Sequence, residues 1–252
     1  SAMTVDPEDG RYITGAPWVM NGKVIIGHGG ADYNPVRGYV TAYDEETGKQ
    51  AWRFFTVPGD PAKPPENEAM ARARETWFGD QYWKQGGGGT VWDSMAYDPE
   101  LDLIYMGIAV PIPWGEIQRD TRGGDVLYTN STLALHADTG EIAWHFQYVP
   151  GGNWDQDHPY ERIVVETEVT PDPSEVSWIN PNISSNERRK VITGVPGKPG
   201  IVWTLDAATG EFLWATETNF QNVIVGVDIP NRKGITNPEL EITEIRQRKF
   251  VC

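Results

Sequence analysis

Cysteine is almost missing: the 252 residues hold one, Cys252, at the last position. An internal disulfide is therefore excluded, and cysteine usage says nothing about redox compartment. Long apolar runs are missing too. No window approaches the ~18 consecutive apolar residues of a membrane-crossing helix. Basic charge is scarce, with 21 Lys and Arg against 36 Asp and Glu and a formal net charge of −15. A body of that sign repels a phosphate backbone, which excludes nucleic acid as a partner and leaves a basic protein partner, or solubility alone, to account for the acidity. The four histidines, His28, His136, His145 and His158, show no ligand spacing of the His-x-x-x-His kind, and most read as ordinary hydrogen-bonded or surface residues.

What the chain has in quantity is glycine (27), proline (19) and tryptophan (11). That mixture suits many short strands joined by turns, and the length suits one large all-β unit or two small domains. An eleven-residue pattern then recurs three times, over residues 42–52, 134–144 and 204–214, each copy ending in Thr-Gly-x-x-x-Trp. In each, a strand enters a turn at Gly48, Gly140 or Gly210, where glycine supplies the positive φ, and a second strand closes on Trp52, Trp144 or Trp214. Repeated hairpins with a fixed aromatic anchor predict a radial β-repeat in which one tryptophan per unit packs blade against blade.

The anchors are 92 residues apart from Trp52 to Trp144 and 70 from Trp144 to Trp214. Both gaps exceed the ~40–45 residues of a WD40 blade, so each holds a blade with long loops, the first nearly two. The expected fold is all-β: a partial β-propeller of three to four four-stranded blades over residues 11–217. Residues 1–10 read as a tag remnant and lead-in, and 218–252 as a truncated next blade or tail. A closed propeller needs about 4–8 blades, so an open sector with uncovered blade faces must self-associate, close in a reduced ring or be marginal in stability. The ends, Ser1-Ala2-Met3 and Lys249-Phe250-Val251-Cys252, read as those of a piece of a longer chain. Between the repeats, residues 95–98 and 103–107 predict a hairpin across Pro99-Glu100-Leu101-Asp102, and residues 69–75 a helical turn or two. Residues 57–89 form an insertion that ends in four glycines, and residues 165–188 a polar excursion between strands.

The segments between the repeats resemble the pyrroloquinoline quinone (PQQ)-dependent alcohol dehydrogenases. The likeness is carried by Gly15-Ala16-Pro17-Trp18-Val19, Gly27-His28-Gly29-Gly30-Ala31-Asp32 and Trp83-Lys84-Gln85-Gly86-Gly87-Gly88-Gly89-Thr90-Val91-Trp92-Asp93. Pro111-Ile112-Pro113-Trp114, Trp154-Asp155 and Lys198-Pro199-Gly200-Ile201-Val202-Trp203 continue it in the family's order. The resemblance implies an eight-bladed family fold, with this chain an interior portion and the quinone at the propeller centre.

It also implies a site. PQQ is a flat tricarboxylate quinone, which calls for an aromatic floor and cationic or hydroxyl donors. Trp92 matches the family's stacking tryptophan, with glycines before it that let backbone approach the ring, and Thr90 offers a hydroxyl to a cofactor carboxylate. Gly29, Gly30 and Ala31 match the cofactor-binding turn. Asp155 matches the catalytic aspartate that takes the alcohol proton as hydride passes to the quinone. Lys198 matches the cation beside the reacting quinone oxygens. For the metal, calcium or a lanthanide, the resemblance points to Asp32 at the family's glutamate position, Asp155, and Asp157 as an extra carboxylate of the lanthanide-using branch. The family's asparagine position reads Val110, which has no side-chain donor. A small alcohol substrate, a c-type cytochrome acceptor and a periplasmic location are further implications. A non-catalytic propeller module that has lost cofactor or metal binding is the alternative.

Overall fold

The computed structural model describes residues 2–6, 8–184, 186–244 and 247–252. Its strands form three antiparallel sheets in chain order, three blades of the expected propeller. The first is β1 (Trp18–Met20), β2 (Lys23–Ile26), β3 (Tyr39–Asp44) and β4 (Gln50–Phe55), paired in sequence order. The second contains β5 (Met95–Asp98), β6 (Leu103–Gly107), β7 (Ser131–His136) and β8 (Ile142–Gln147), likewise in sequence order. The third runs β9 (Ile163–Val169), β11 (Glu187–Gly194), β12 (Ile201–Asp206), β13 (Phe212–Glu217) and the two-residue β10 (Trp178–Ile179).

The three sequence repeats are the hairpins β3–β4, β7–β8 and β12–β13. Each carries a register shift at the same place, between Ala42 and Tyr43, Ala134 and Leu135, and Thr204 and Leu205. The turn glycines have φ of +70°, +71° and +72° at Gly48, Gly140 and Gly210. In the first and third copies an aspartate caps the turn: Asp44 Oδ1 accepts from the Thr47 N–H at 2.7 Å, and Asp206 Oδ1 from the Thr209 N–H at 2.9 Å. In the second copy His136 stands in that place and offers no cap, and the turn is held by the Gly140 N–H on the His136 carbonyl at 2.8 Å, the His136 N–H on the Glu141 carbonyl at 2.9 Å and the Glu141 N–H on Thr139 Oγ1 at 3.2 Å.

The first two tryptophan anchors each belong to one blade and dock on the next. The Trp52 indole N–H donates to the Ala137 carbonyl at 2.9 Å, and that of Trp144 to the Ala207 carbonyl at 3.0 Å. The indole faces lie so close over Gly140 and Gly210 that a Cβ there would stand 2.5 Å from a ring atom. Glycine is thus required twice over, for the turn and for the docked ring. Two hydrophobic cores follow, one between the first and second blades around Ile25, Phe54 and Met106, the other between the second and third around Phe146, Trp203 and Phe212.

The sequence expectations for residues 95–107 and 69–75 hold, as the β5–β6 hairpin and as helix α1 (Glu68–Arg74), capped by the Asn67 side chain on the Met70 N–H. The 165–188 stretch is more regular than expected. β9 runs into it, β10 lies inside it, and β11 begins at its end. β9 is an edge strand whose polar run Glu166-Thr167-Glu168 separates Ile163-Val164-Val165 from the buried Val169, so it carries no clean apolar alternation to read. Among the described residues after 217 no further sheet opens. β14 (Ile224–Asp228) and β15 (Lys233–Thr236) form a hairpin that joins the second blade through one parallel bridge, Lys233 to Gln147.

Candidate active site

Three loops build the site. The glycine run comes first, with φ of +85°, +81°, +76° and +65° at Gly86 to Gly89, a left-handed path closed to other residues. Its backbone threads between two others. The Gly38 N–H donates to the Gly88 carbonyl at 2.9 Å, the Ile112 N–H to Gly87 and the Gly89 N–H to Val110, each at 3.0 Å. A Cβ at Gly88 would stand 2.7 Å from the Val110 carbonyl oxygen. The close approach that these glycines permit is therefore of main chain to main chain, and it delivers Thr90 and Trp92 rigidly. Thr90 is buried, its carbonyl accepting from the Ala109 N–H at 3.0 Å. Trp92 is half-buried, meets Tyr160 edge-on at a ring separation of 6.0 Å, and lies against Gly15 and Gly29.

The second loop, residues 151–160, carries the acids, and the third, residues 195–200, brings the ammonium to them. Lys198 Nζ lies 2.6 Å from Asp155 Oδ1 and 3.1 Å from Asp157 Oδ2. The Asp155 contact is an ion pair by distance but is out of line for a hydrogen bond. Asp157 is further held by the Val110 N–H, which donates to its Oδ1 at 3.1 Å, and by the Lys198 N–H on its carbonyl at 3.1 Å. The Asp157 side chain is 10% exposed and that of Asp155 41% exposed. Since Asp155 Oδ1 is itself buried, the exposed oxygen is Oδ2.

The electrostatics follow from burial. Desolvation, with the Asp155 carboxylate adding to it, pushes Asp157 up to about 6, against the pull of Lys198 and the Val110 N–H. Burial opposes the charge on Lys198, but the two carboxylates outweigh it and hold the ammonium above the usual lysine range. Asp32 is raised by desolvation and then by Asp155, against Lys198, which places it in the same field although its own side chain faces solvent. Gly30 and Ala31 beside it are buried, and Gly30, at φ +113°, packs against the Gly10 carbonyl.

The structure thus gathers Asp155, Asp157 and Lys198 tightly, with Tyr160 in their field and Trp92 against Tyr160. Among the described residues no three His, Cys, Asp or Glu side chains converge as a metal site, so Asp32, Asp155 and Asp157 do not close on one point in this arrangement. Val110 contributes its main chain only. His28 turns inward. Its Nδ1 contacts the Gly29 carbonyl at 3.0 Å, the Tyr39 N–H donates to Nε2 at 3.3 Å, and burial lowers it to about 4.

A pH signature follows from His28. Unfolded, it gains a proton near pH 6.5; folded, only near 4. Above pH 7 both states are neutral and nothing is contributed, whereas from about 6.5 down to about 4 the unfolded state is favoured by ~1.4 kcal/mol per pH unit. Urea midpoints of wild type and His28→Gln between pH 5 and 6 check this. The variant is expected to lose stability less steeply by that amount, and parallel slopes would contradict it.

Sequence reasoning missed Tyr160, and with it Arg119 and Arg162. The two arginines hold main-chain carbonyls around the acid loop, and a buried arginine has no sequence mark that separates it from a solvated one.

Against known proteins, the family described as PQQ glucose/ethanol/alcohol dehydrogenase, β-propeller domain, matches residues 2–221. The chain belongs to this family. Quinohemoprotein alcohol dehydrogenase ADH IIB of Pseudomonas putida is 46% identical over 238 residues, 94% of this chain and 32% of that protein. Among solved structures, quinohemoprotein alcohol dehydrogenase ADHIIG from Pseudomonas putida HK5 superposes with a TM-score of 0.80 at 45% identity, over 93% of this chain and 32% of that one. A europium-containing methanol dehydrogenase superposes with a TM-score of 0.74 at 29% identity, over 94% and 39%. This PQQ-family propeller chain spans about a third of the length of the curated relatives it matches.

The loop of this PQQ-family chain tests whether a quinone fits. Three buried polar atoms of this loop have no hydrogen-bond partner among the described residues, Trp154 Nε1, Gln156 Oε1 and His158 Nδ1, beside Asp155 Oδ1, which has the Lys198 ion pair alone. Buried polar groups are seldom left unpaired, and such a concentration marks a place where a polar ligand or water completes the bonding. The donors that a flat polyanion calls for are here Trp154 Nε1, His158 Nδ1 in its N–H tautomer and the Lys198 ammonium.

Proposed function

We propose that this chain carries the quinone-facing part of a PQQ-dependent alcohol dehydrogenase. The observation that carries the reading is the Asp155–Lys198–Asp157 cluster on a loop of unpartnered buried polar atoms beside Trp92. Trp92 is the aromatic floor, with Tyr160 bracing its edge. Thr90, Gly29, Gly30, Ala31 and Lys198 hold the cofactor's rim. When bound, PQQ supplies a two-electron acceptor for the hydride equivalent that leaves the alcohol carbon. Asp155 is the general base, taking the hydroxyl proton at its exposed Oδ2. Lys198 sets fixed positive charge where negative charge develops.

Asp32, Asp155 and Asp157 are the oxygen donors offered to calcium or a lanthanide. Carboxylates outnumber Lys198 here, which suits a hard cation in chemistry, and the structural likeness to a europium-containing methanol dehydrogenase supports a metal of that class. The arrangement of these residues is not closed around an ion, so no step is assigned to one. Electrons pass to a c-type cytochrome in the periplasm. The net charge of −15 suits a basic docking face, and relatives named quinohemoprotein support a haem acceptor. A Cβ at Gly48 would meet the Ala2 methyl carbon at 4.0 Å and no indole, unlike Gly140 and Gly210, which leaves this turn open to a further blade or a second copy.

The test is calorimetric titration of the full-length protein with PQQ in calcium or lanthanum, followed by dye reduction with short alcohols. Trp92→Ala is expected to weaken PQQ binding by at least about ten-fold, or ~1.4 kcal/mol. PQQ that binds under neither ion would remove the catalytic reading and leave the non-catalytic propeller module.

A further inference from the structure

The loop that carries Asp155 and Asp157 has no ladder to define it. Its backbone is tied by scattered bonds, among them Gly151 N–H to Asp125, Gln156 N–H to Trp154 and Tyr160 N–H to Pro196. Two arginines close its ends. Arg119, last residue of the short helix α2 (Glu116–Arg119), is fully buried and makes no salt bridge among the described residues. Its Nη1 donates to the carbonyls of Pro113 at 2.6 Å and Trp114 at 2.8 Å, its Nη2 to those of Gly152 at 3.2 Å and Gly151 at 3.4 Å, and its Nε to Thr121 Oγ1 at 3.1 Å. Arg162 repeats the device at the far end. Its Nη2 donates to the His158 carbonyl at 2.7 Å, its Nη1 to that of Tyr160, and its Nε to Thr132 Oγ1 at 2.7 Å.

An arginine kept for packing has a cheaper apolar substitute, because burying a charge without a counter-ion is strongly unfavourable. What the guanidinium provides is a rigid planar fork able to grip two pairs of carbonyls at once. Burial pulls Arg119 down to about 10, so it stays charged at neutral pH and keeps all its donors. Arg119 fastens residues 113–114 to residues 151–152. A few residues away the same two segments meet again, where the Val110 N–H holds Asp157.

We propose that Arg119 and Arg162 are positioning residues that clamp the two ends of the 151–160 loop and so fix Asp155 and Asp157 against Lys198. The functional consequence rests on the reading of Asp155 as the base. The mechanical one does not. A displacement of about 1 Å from such a clamp is enough to lower a rate by ~10²-fold.

The experiment uses the full-length protein with Arg119→Lys and Arg162→Lys, which keep the charge and lose the fork, and Arg119→Met as a second variant. In the PQQ-free protein, hydrogen exchange of amides 151–160 is expected to quicken about ten-fold or more while amides of the three sheets keep wild-type protection. In the PQQ-loaded protein kcat is expected to fall ~10–100-fold, with PQQ affinity and the KM for alcohol held within about three-fold. Wild-type exchange in the loop would overturn the clamp. So would uniform acceleration through all three sheets, since that is the mark of a core residue. Asp155→Asn run in parallel separates the two readings: if it keeps turnover, the function assigned to Asp155 falls while the exchange data still judge the clamp.

Discussion

Replacing Asp155 by asparagine in the full-length protein is expected to lower kcat by roughly 10³-fold and to leave PQQ affinity within about three-fold. The asymmetry comes from where the parts sit. The aromatic floor, Trp92, is delivered by the glycine run, which is braced by backbone bonds to residues 38, 110 and 112, and no part of that bracing involves Asp155. The proton acceptor, by contrast, is one oxygen. Asp157 is a poor substitute, because its side chain is 10% exposed and both its oxygens are engaged, Oδ1 by the Val110 N–H and Oδ2 by Lys198. Asp157→Asn keeps an acceptor for Val110 and loses the ion pair, so a smaller fall, ~10-fold, is expected from a displaced Lys198. Steady-state kinetics of the two variants side by side is the measurement. The assignment fails if Asp157→Asn is dead and Asp155→Asn turns over at the wild-type rate.

The blades were legible in the sequence because their determinants are local and repeated. The Thr-Gly-x-x-x-Trp copies state both the turn that needs positive φ and the ring that docks across the blade boundary. The β5–β6 hairpin and α1 announce themselves through apolar strands around a turn and through an alanine-rich run. β9 did not, since an edge strand interrupted by Glu166-Thr167-Glu168 satisfies its geometry without alternation. The β14–β15 hairpin falls within the stretch read as a truncated next blade or tail, and its attachment to β8 rests on one bridge that no pattern within 218–252 encodes. In the site, Asp155, Asp157 and Lys198 were found through motif order, and the structure brings all three within one ion-paired cluster. Asp32 was placed by the same order, yet its side chain faces solvent. Tyr160, Arg119 and Arg162 lie outside the matched motifs, and what they do depends on carbonyls and rings up to 68 residues away in sequence, from Trp92 to Tyr160.

In the 252-residue chain, Trp144→Ala is expected to lower the unfolding free energy by ~3–5 kcal/mol, the range for deleting a buried aromatic and leaving its cavity. Trp144 is 4% exposed and tilts against Tyr105 at 5.7 Å. Its loss also uncovers Gly210, whose positive φ then keeps the turn but no longer seats a ring. Phenylalanine separates the two parts of the docking. Trp144→Phe removes the indole donor, but the Ala207 carbonyl retains a second donor, the Tyr105 hydroxyl at 3.0 Å. Trp52→Phe removes the one donor that the described residues offer the Ala137 carbonyl. A buried acceptor left without a partner is penalised by ~1–3 kcal/mol, whereas one that keeps a second partner largely escapes the penalty. Trp52→Phe is therefore expected to be the more destabilising of the two by about 1 kcal/mol, as read from urea midpoints at constant slope. Equal losses would mean that the docked indole acts through its apolar face alone, and that the shared carbonyl contact between blades contributes nothing to their cohesion.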